Sequence, residues 1–137
     1  MWAMYALFSA IFAALTSILV KIGVENINSN LATAIRTIVV LVLAWAMVFI
    51  TGAQGGLAGI NRRNLIFLVL SGIATGLSWL CYYRALQLGP ASRVIPIDKS
   101  SVVFGMILAF VVLKETLTIK AVIGGSLIAI GTFVLIF

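Results

Sequence analysis

Five stretches of the chain are nearly free of charged side chains, and each is long enough for a helix to cross a bilayer, which takes about 20 residues at 1.5 Å apiece. They cover residues 2–20, 31–50, 65–86, 94–113 and 121–137. The pattern predicts an all-α membrane protein with five transmembrane helices.

The connections carry helix punctuation. Asn28-Ser29-Asn30 offers side-chain oxygens to the free N–H groups that open the second helix, and Asn61 does the same for the third. Residues 51–64 contain Gly52, Gly55, Gly56 and Gly59 without any periodicity and are expected to form a flexible surface loop. Gly89-Pro90 stops one helix and starts the next. The connection 114–120 is short enough to make the last two helices an antiparallel hairpin. No second domain fits, and residues 1–137 are expected to form a single transmembrane domain.

Composition supports the bilayer as solvent. Of 137 residues, 64% are hydrophobic and 9% charged, whereas a soluble domain is roughly half apolar and about a quarter charged. A chain this small has too little interior to hide so much apolar surface from water. With no histidine and one cysteine, Cys81, neither a disulfide framework nor a His/Cys metal site is available. The three acids, Glu25, Asp98 and Glu115, are too scattered for paired-carboxylate chemistry. We therefore expect no enzyme, no metal and no cofactor. The net charge of +6 contains no basic run longer than Arg62-Arg63, so nucleic acid is not an expected partner. The first segment lacks the cationic start of a cleavable signal peptide.

Orientation is weakly encoded. In strict loop positions Arg62, Arg63, Lys114 and Lys120 share the N-terminal side, against Lys21 and Arg93 on the other. That count alone would put the N-terminal side in the cytoplasm. Adding Arg36, Arg84 and Lys99, just inside the spans, nearly equalises the two sides, and insertion in both orientations is expected.

Four charges fall inside the spans and need a reason to be there, since each costs at least about 2.5–3.5 kcal/mol on insertion scales. They are Arg36, Arg84, Asp98 and Lys99, all within about 10 Å of the same surface. They are expected to form one layer, a gate in which Asp98 pairs with Arg36 or Arg84. The alternative for the basic side chains is snorkelling to the headgroups. Pro96 sits in the first turns of the fourth helix, either as an ordinary helix start or as a break that lines a cavity.

The third helix has two stripes. Ser71, Thr75, Ser78 and Tyr82 share one, and Gly72, Gly76, Trp79 and Tyr83 the adjacent one. The first is a candidate cavity lining, with packing and back-bonding as the alternative; the second opens with spacing that lets another helix approach closely. Trp45 and Trp79 lie inside their spans, away from the interfacial belt, as an aromatic lining or as packing. Thr75, Ser78, Trp79, Tyr82, Trp45 and Phe104 form the candidate substrate site.

The arginine in Ala34-Ile35-Arg36, the stretch from Tyr82-Tyr83-Arg84-Ala85-Leu86 through Gly89-Pro90-Ala91-Ser92 to Pro96-Ile97-Asp98-Lys99, and Leu113-Lys114-Glu115-Thr116 together resemble the EamA-type repeat of the drug/metabolite transporter superfamily. Typical members join two such five-helix repeats in opposite orientations and move small metabolites. The resemblance implies a transporter or exporter in a prokaryotic-type cytoplasmic (inner) membrane, in contact with membrane lipid. One repeat would be completed by an antiparallel homodimer with a midplane site. The first helix has no embedded Glu for proton-coupled export of cations; a neutral, zwitterionic or carboxylate-bearing metabolite suits the lining better. The alternatives are flipping of a lipid-linked precursor and a non-transporting accessory subunit.

Overall fold

A computed structural model describes residues 2–136; the end of the fifth apolar segment at Phe137 lies outside them. The helices are α1 (Trp2–Gly23), α2 (Ser29–Ile50), α3 (Arg62–Leu88), α4 (Ala91–Lys99), α5 (Ser101–Val112) and α6 (Ile119–Ile136). Five spans are long and apolar enough to cross a membrane, with α4 and α5 together making the fourth. The protein is an all-α membrane protein.

Each helix start has a local cause. Asn28 accepts the Asn30 N–H at 2.8 Å and caps α2. Asn61 accepts from Arg63 N at 3.4 Å, which draws α3 back to Arg62. Thr118 accepts from Ala121 N at 3.2 Å and opens α6. The Pro90 carbonyl receives both Arg93 N and Val94 N, so α4 begins at Ala91, three residues before the apolar run. The glycine-rich connection departs from the expected irregular loop. After Gly52, whose φ of 69° reverses the chain, Ala53–Gly59 winds into a 3-10 helix. A few i→i+3 turns need no hydrophobic periodicity, so the pattern carried no sign of them.

Several hydroxyls inside the spans are satisfied on their own helices. Ser17 bonds to Ala13 O at 2.8 Å, Thr33 to Ser29 O at 2.9 Å and Thr37 to Thr33 O at 2.7 Å. In hydrocarbon, where water cannot serve, this is the cheapest partner.

The described residues fall into two units, Leu19–Gln87 and residues 2–18 with 88–136. In the second unit α6 packs on both α4 and α5. Gly125 is buried there, and a Cβ on it would stand 3.1 Å from the Met106 Sδ and Cε. The absence of that Cβ lets α5 and α6 approach. Beside this contact lies a groove of about 190 Å³ lined by Val103, Met106, Gly125 and Ala129.

Candidate functional site

In the unit Leu19–Gln87, the C-terminal end of α3 is tied to the α1–α2 connection by side chains rather than backbone. Lys21 Nζ donates to the Leu86 carbonyl at 2.6 Å, which places a cation on the negative end of the α3 dipole. The Gln87 amide donates to Val24 O at 3.2 Å and Ile27 O at 2.8 Å, and its own carbonyl accepts from Arg84 Nη1 at 2.8 Å. Val24 and Leu86, both fully buried, close the apolar side of this junction. Lys21, Glu25 and Gln87 also line a cavity of about 300 Å³.

About two helical turns into α2, Arg36 meets the face of α3. Its guanidinium carbon lies 4.3 Å from the Trp79 ring centroid and 5.7 Å from that of Tyr83. Trp79 and Tyr83 are four residues apart and so share one helix face. The contact supplies a cation–π interaction where carboxylates are missing. Tyr83 is 1% exposed, and its hydroxyl donates to no acceptor among the described residues; the Arg36 guanidinium acts on it through its charge and as a hydrogen-bond donor.

The remaining candidate residues are distributed differently. The Thr75 hydroxyl donates to Ser71 O at 2.9 Å, the back-bonding alternative. Ser78 is exposed, Tyr82 lies 6.3 Å from the Tyr83 ring, and Trp45 stacks on Phe49 at 5.9 Å. Phe104, in the other unit, is exposed on α5. Of the candidate substrate residues Trp79 meets Arg36, together with Tyr83, which stands on the same stripe as Trp79 and was not among the candidates. Its signal was the i,i+4 spacing to Trp79.

Asp98 pairs with its chain neighbour Lys99 at 3.5 Å. Arg84 is taken by Gln87 and Arg36 by the two rings. A guanidinium lying on aromatic faces is already partly stabilised, so it does not require the acid.

Pro96, expected either as a helix start or as a break, lies inside α4, and the interruption of the span falls at Ser100, four residues on. The backbone bonds there are the three-residue ones, Ser100 N to Ile97 O at 3.0 Å and Val103 N to Ser100 O at 2.9 Å. The Ser100 hydroxyl also takes Ile97 O, at 2.7 Å. In a regular helix Pro96 O would receive Ser100 N. Released from it, this carbonyl accepts the buried Thr132 hydroxyl at 3.4 Å. Thr132 carried no sequence signal, because its role depends on where the helix breaks.

Residues 1–137 match the model of the EamA-like transporter family. A Sinorhizobium sp protein named "Uncharacterized transporter in cobO 3'region" is 47% identical over 134 residues, 98% of this chain and 95% of the relative. An uncharacterised protein of Methanocaldococcus jannaschii is 33% identical over 75 residues, 55% of each chain. No solved structure matches.

Proposed function

The chain belongs to the EamA-like transporter family, and from that premise we propose that this membrane transporter moves a small metabolite through a midplane cavity formed by two copies inserted in opposite orientations. The observation that carries the reading is Arg36. A cation held two turns inside a span on Trp79, with no acid paired to it among the described residues 19–87, is costly unless it meets something that crosses the membrane.

The dimer has independent support. The Sinorhizobium relative is matched over 95% of its own length, so a five-helix chain is a size that occurs among the relatives. The near-equal Lys/Arg count permits both insertions. At Gly72 and Gly76 an added Cβ would meet nothing within 4 Å, which leaves the small-residue face of α3 available to a second copy. In such a dimer Thr75, Ser78, Trp79 and Tyr82 of α3, with Trp45 and Phe104, contribute twice to one cavity. Arg36, Arg84, Asp98 and Lys99 recur at each mouth. The cytoplasmic (inner) membrane of a prokaryote is the proposed location.

The test is efflux from proteoliposomes loaded with labelled organic acids, amino acids and amines. Efflux of at least one class above empty liposomes is expected. No efflux of any, from protein that is folded and present in both orientations, would overturn the reading.

A further inference from the structure

Two polar groups at the α2–α3 contact, Arg36 and the Tyr83 hydroxyl, act on each other and meet no carbonyl or carboxylate among the described residues 19–87. The Tyr83 hydroxyl is buried and donates to no acceptor among the described residues. Arg36 is bonded to no carbonyl or carboxylate among the described residues; its contacts are the Trp79 and Tyr83 ring faces and its effect on the Tyr83 hydroxyl. A ring face is a weak acceptor, so the five guanidinium N–H donors keep most of their capacity. The only acid in residues 19–87 is Glu25, on the α1–α2 connection, and it forms no ion pair with Arg36. A strong donor fork and a buried hydroxyl side by side, with the described residues of 19–87 supplying no acceptor, describe a site short of an oxyanion.

We propose that Arg36 and the Tyr83 hydroxyl bind the carboxylate of an organic solute, whose body lies along the Trp79 ring. A carboxylate takes two parallel N–H···O bonds from a guanidinium, and the tyrosine O–H donates a third to the same group. The flat ring beside the fork suits a planar or apolar body. An anionic lipid headgroup offers the same oxyanion chemistry. The position of Arg36 two turns into α2, between two aromatic rings, favours a soluble carboxylate. This assignment rests on the transporter reading for its claim that the carboxylate belongs to a transported solute. Binding is measured without transport, so the two fail separately. Carboxylate binding with no efflux contradicts the function, and efflux without carboxylate discrimination contradicts only this proposal.

The experiment uses the full chain in neutral detergent, with sodium benzoate against sodium chloride at equal ionic strength. The readouts are melting temperature and tryptophan fluorescence. Benzoate is expected to raise the one and change the other, while the uncharged isostere benzamide does neither. Arg36→Lys, which keeps the charge and loses the fork, should weaken benzoate binding about tenfold or more, and Tyr83→Phe about threefold to tenfold. Trp79→Phe should remove the fluorescence response and retain the thermal one. In phosphatidylcholine nanodiscs, with and without phosphatidylglycerol, the benzoate response should persist in both. Equal responses to benzoate and benzamide, or undiminished binding by Arg36→Lys and Tyr83→Phe, would overturn the proposal. Stabilisation by phosphatidylglycerol alone would overturn the solute assignment in favour of a headgroup. The benzamide comparison needs no variant, so the proposal stays testable where a substitution fails to fold.

Discussion

The guanidinium carbon of Arg36 stands 4.3 Å from the centroid of the Trp79 ring, so an arginine inside α2 lies on an aromatic face of α3. A desolvated cation–π contact contributes about 2 kcal/mol and an exposed one about 0.5–1. Trp79→Ala should therefore lower the melting temperature more than Trp79→Phe, which retains a ring face for the cation. Equal losses from the two variants would mean that only the volume of the side chain matters.

Gln87 satisfies two carbonyls of the α1–α2 connection at once. Gln87→Ala leaves both without that donor and should cost about 1–3 kcal/mol, read as a drop in thermal stability in detergent. Lys21→Met, which leaves the Leu86 carbonyl unmet at the end of α3, should destabilise in the same direction. Neither substitution touches Trp79 or Tyr83, so the Trp79 fluorescence response to benzoate should survive in the folded fraction.

Thr132 reaches the Pro96 carbonyl that the turn at Ser100 leaves open. Thr132→Val keeps the shape and removes the donor. The expected cost is at most about 1 kcal/mol, given a bond of 3.4 Å. Hydrogen exchange should rise across residues 97–103 while α2 and α3 remain unaffected. Unchanged exchange there would show that the hydroxyl does not brace the break.

Asp98 and Lys99 form a partly exposed pair, with side chains 33% and 52% accessible. Exposed pairs contribute about 0–1 kcal/mol. Asp98→Asn should accordingly change the melting temperature little in the detergent-solubilised chain. A loss of several kcal/mol would instead support neutralisation of this carboxylate by Arg36 or Arg84.

How far the sequence reveals the molecule depends on what each feature needs. The spans are legible because apolar length alone dictates them, and the helix ends at Asn28 and Asn61 because capping is local. Arg36 was legible as an intramembrane charge. Its partner was not, since an aromatic face leaves no mark of opposite charge, and the hydroxyl stripe through Thr75 drew attention away from Tyr83. Pro96 announced a disturbance in the fourth span but not its position. The break settles where the Ser100 hydroxyl and N–H both turn to Ile97 O, a competition that composition does not reveal.

Insertion in both orientations is expected from the balanced basic residues, and a C-terminal tag should be found on both sides of the membrane. Two lysines added within residues 51–64 should fix one orientation and abolish efflux until an oppositely biased copy is supplied. A tag confined to one side in every molecule would rule out the antiparallel pair.

The most direct measurement is proteoliposome efflux by wild type, Arg36→Gln and Trp79→Ala, each normalised to folded protein. The expected result is efflux by the wild type that falls about tenfold or more in both variants. Efflux at the wild-type rate in both would mean that Arg36 and Trp79 are packing, and that the transport path lies elsewhere in the protein.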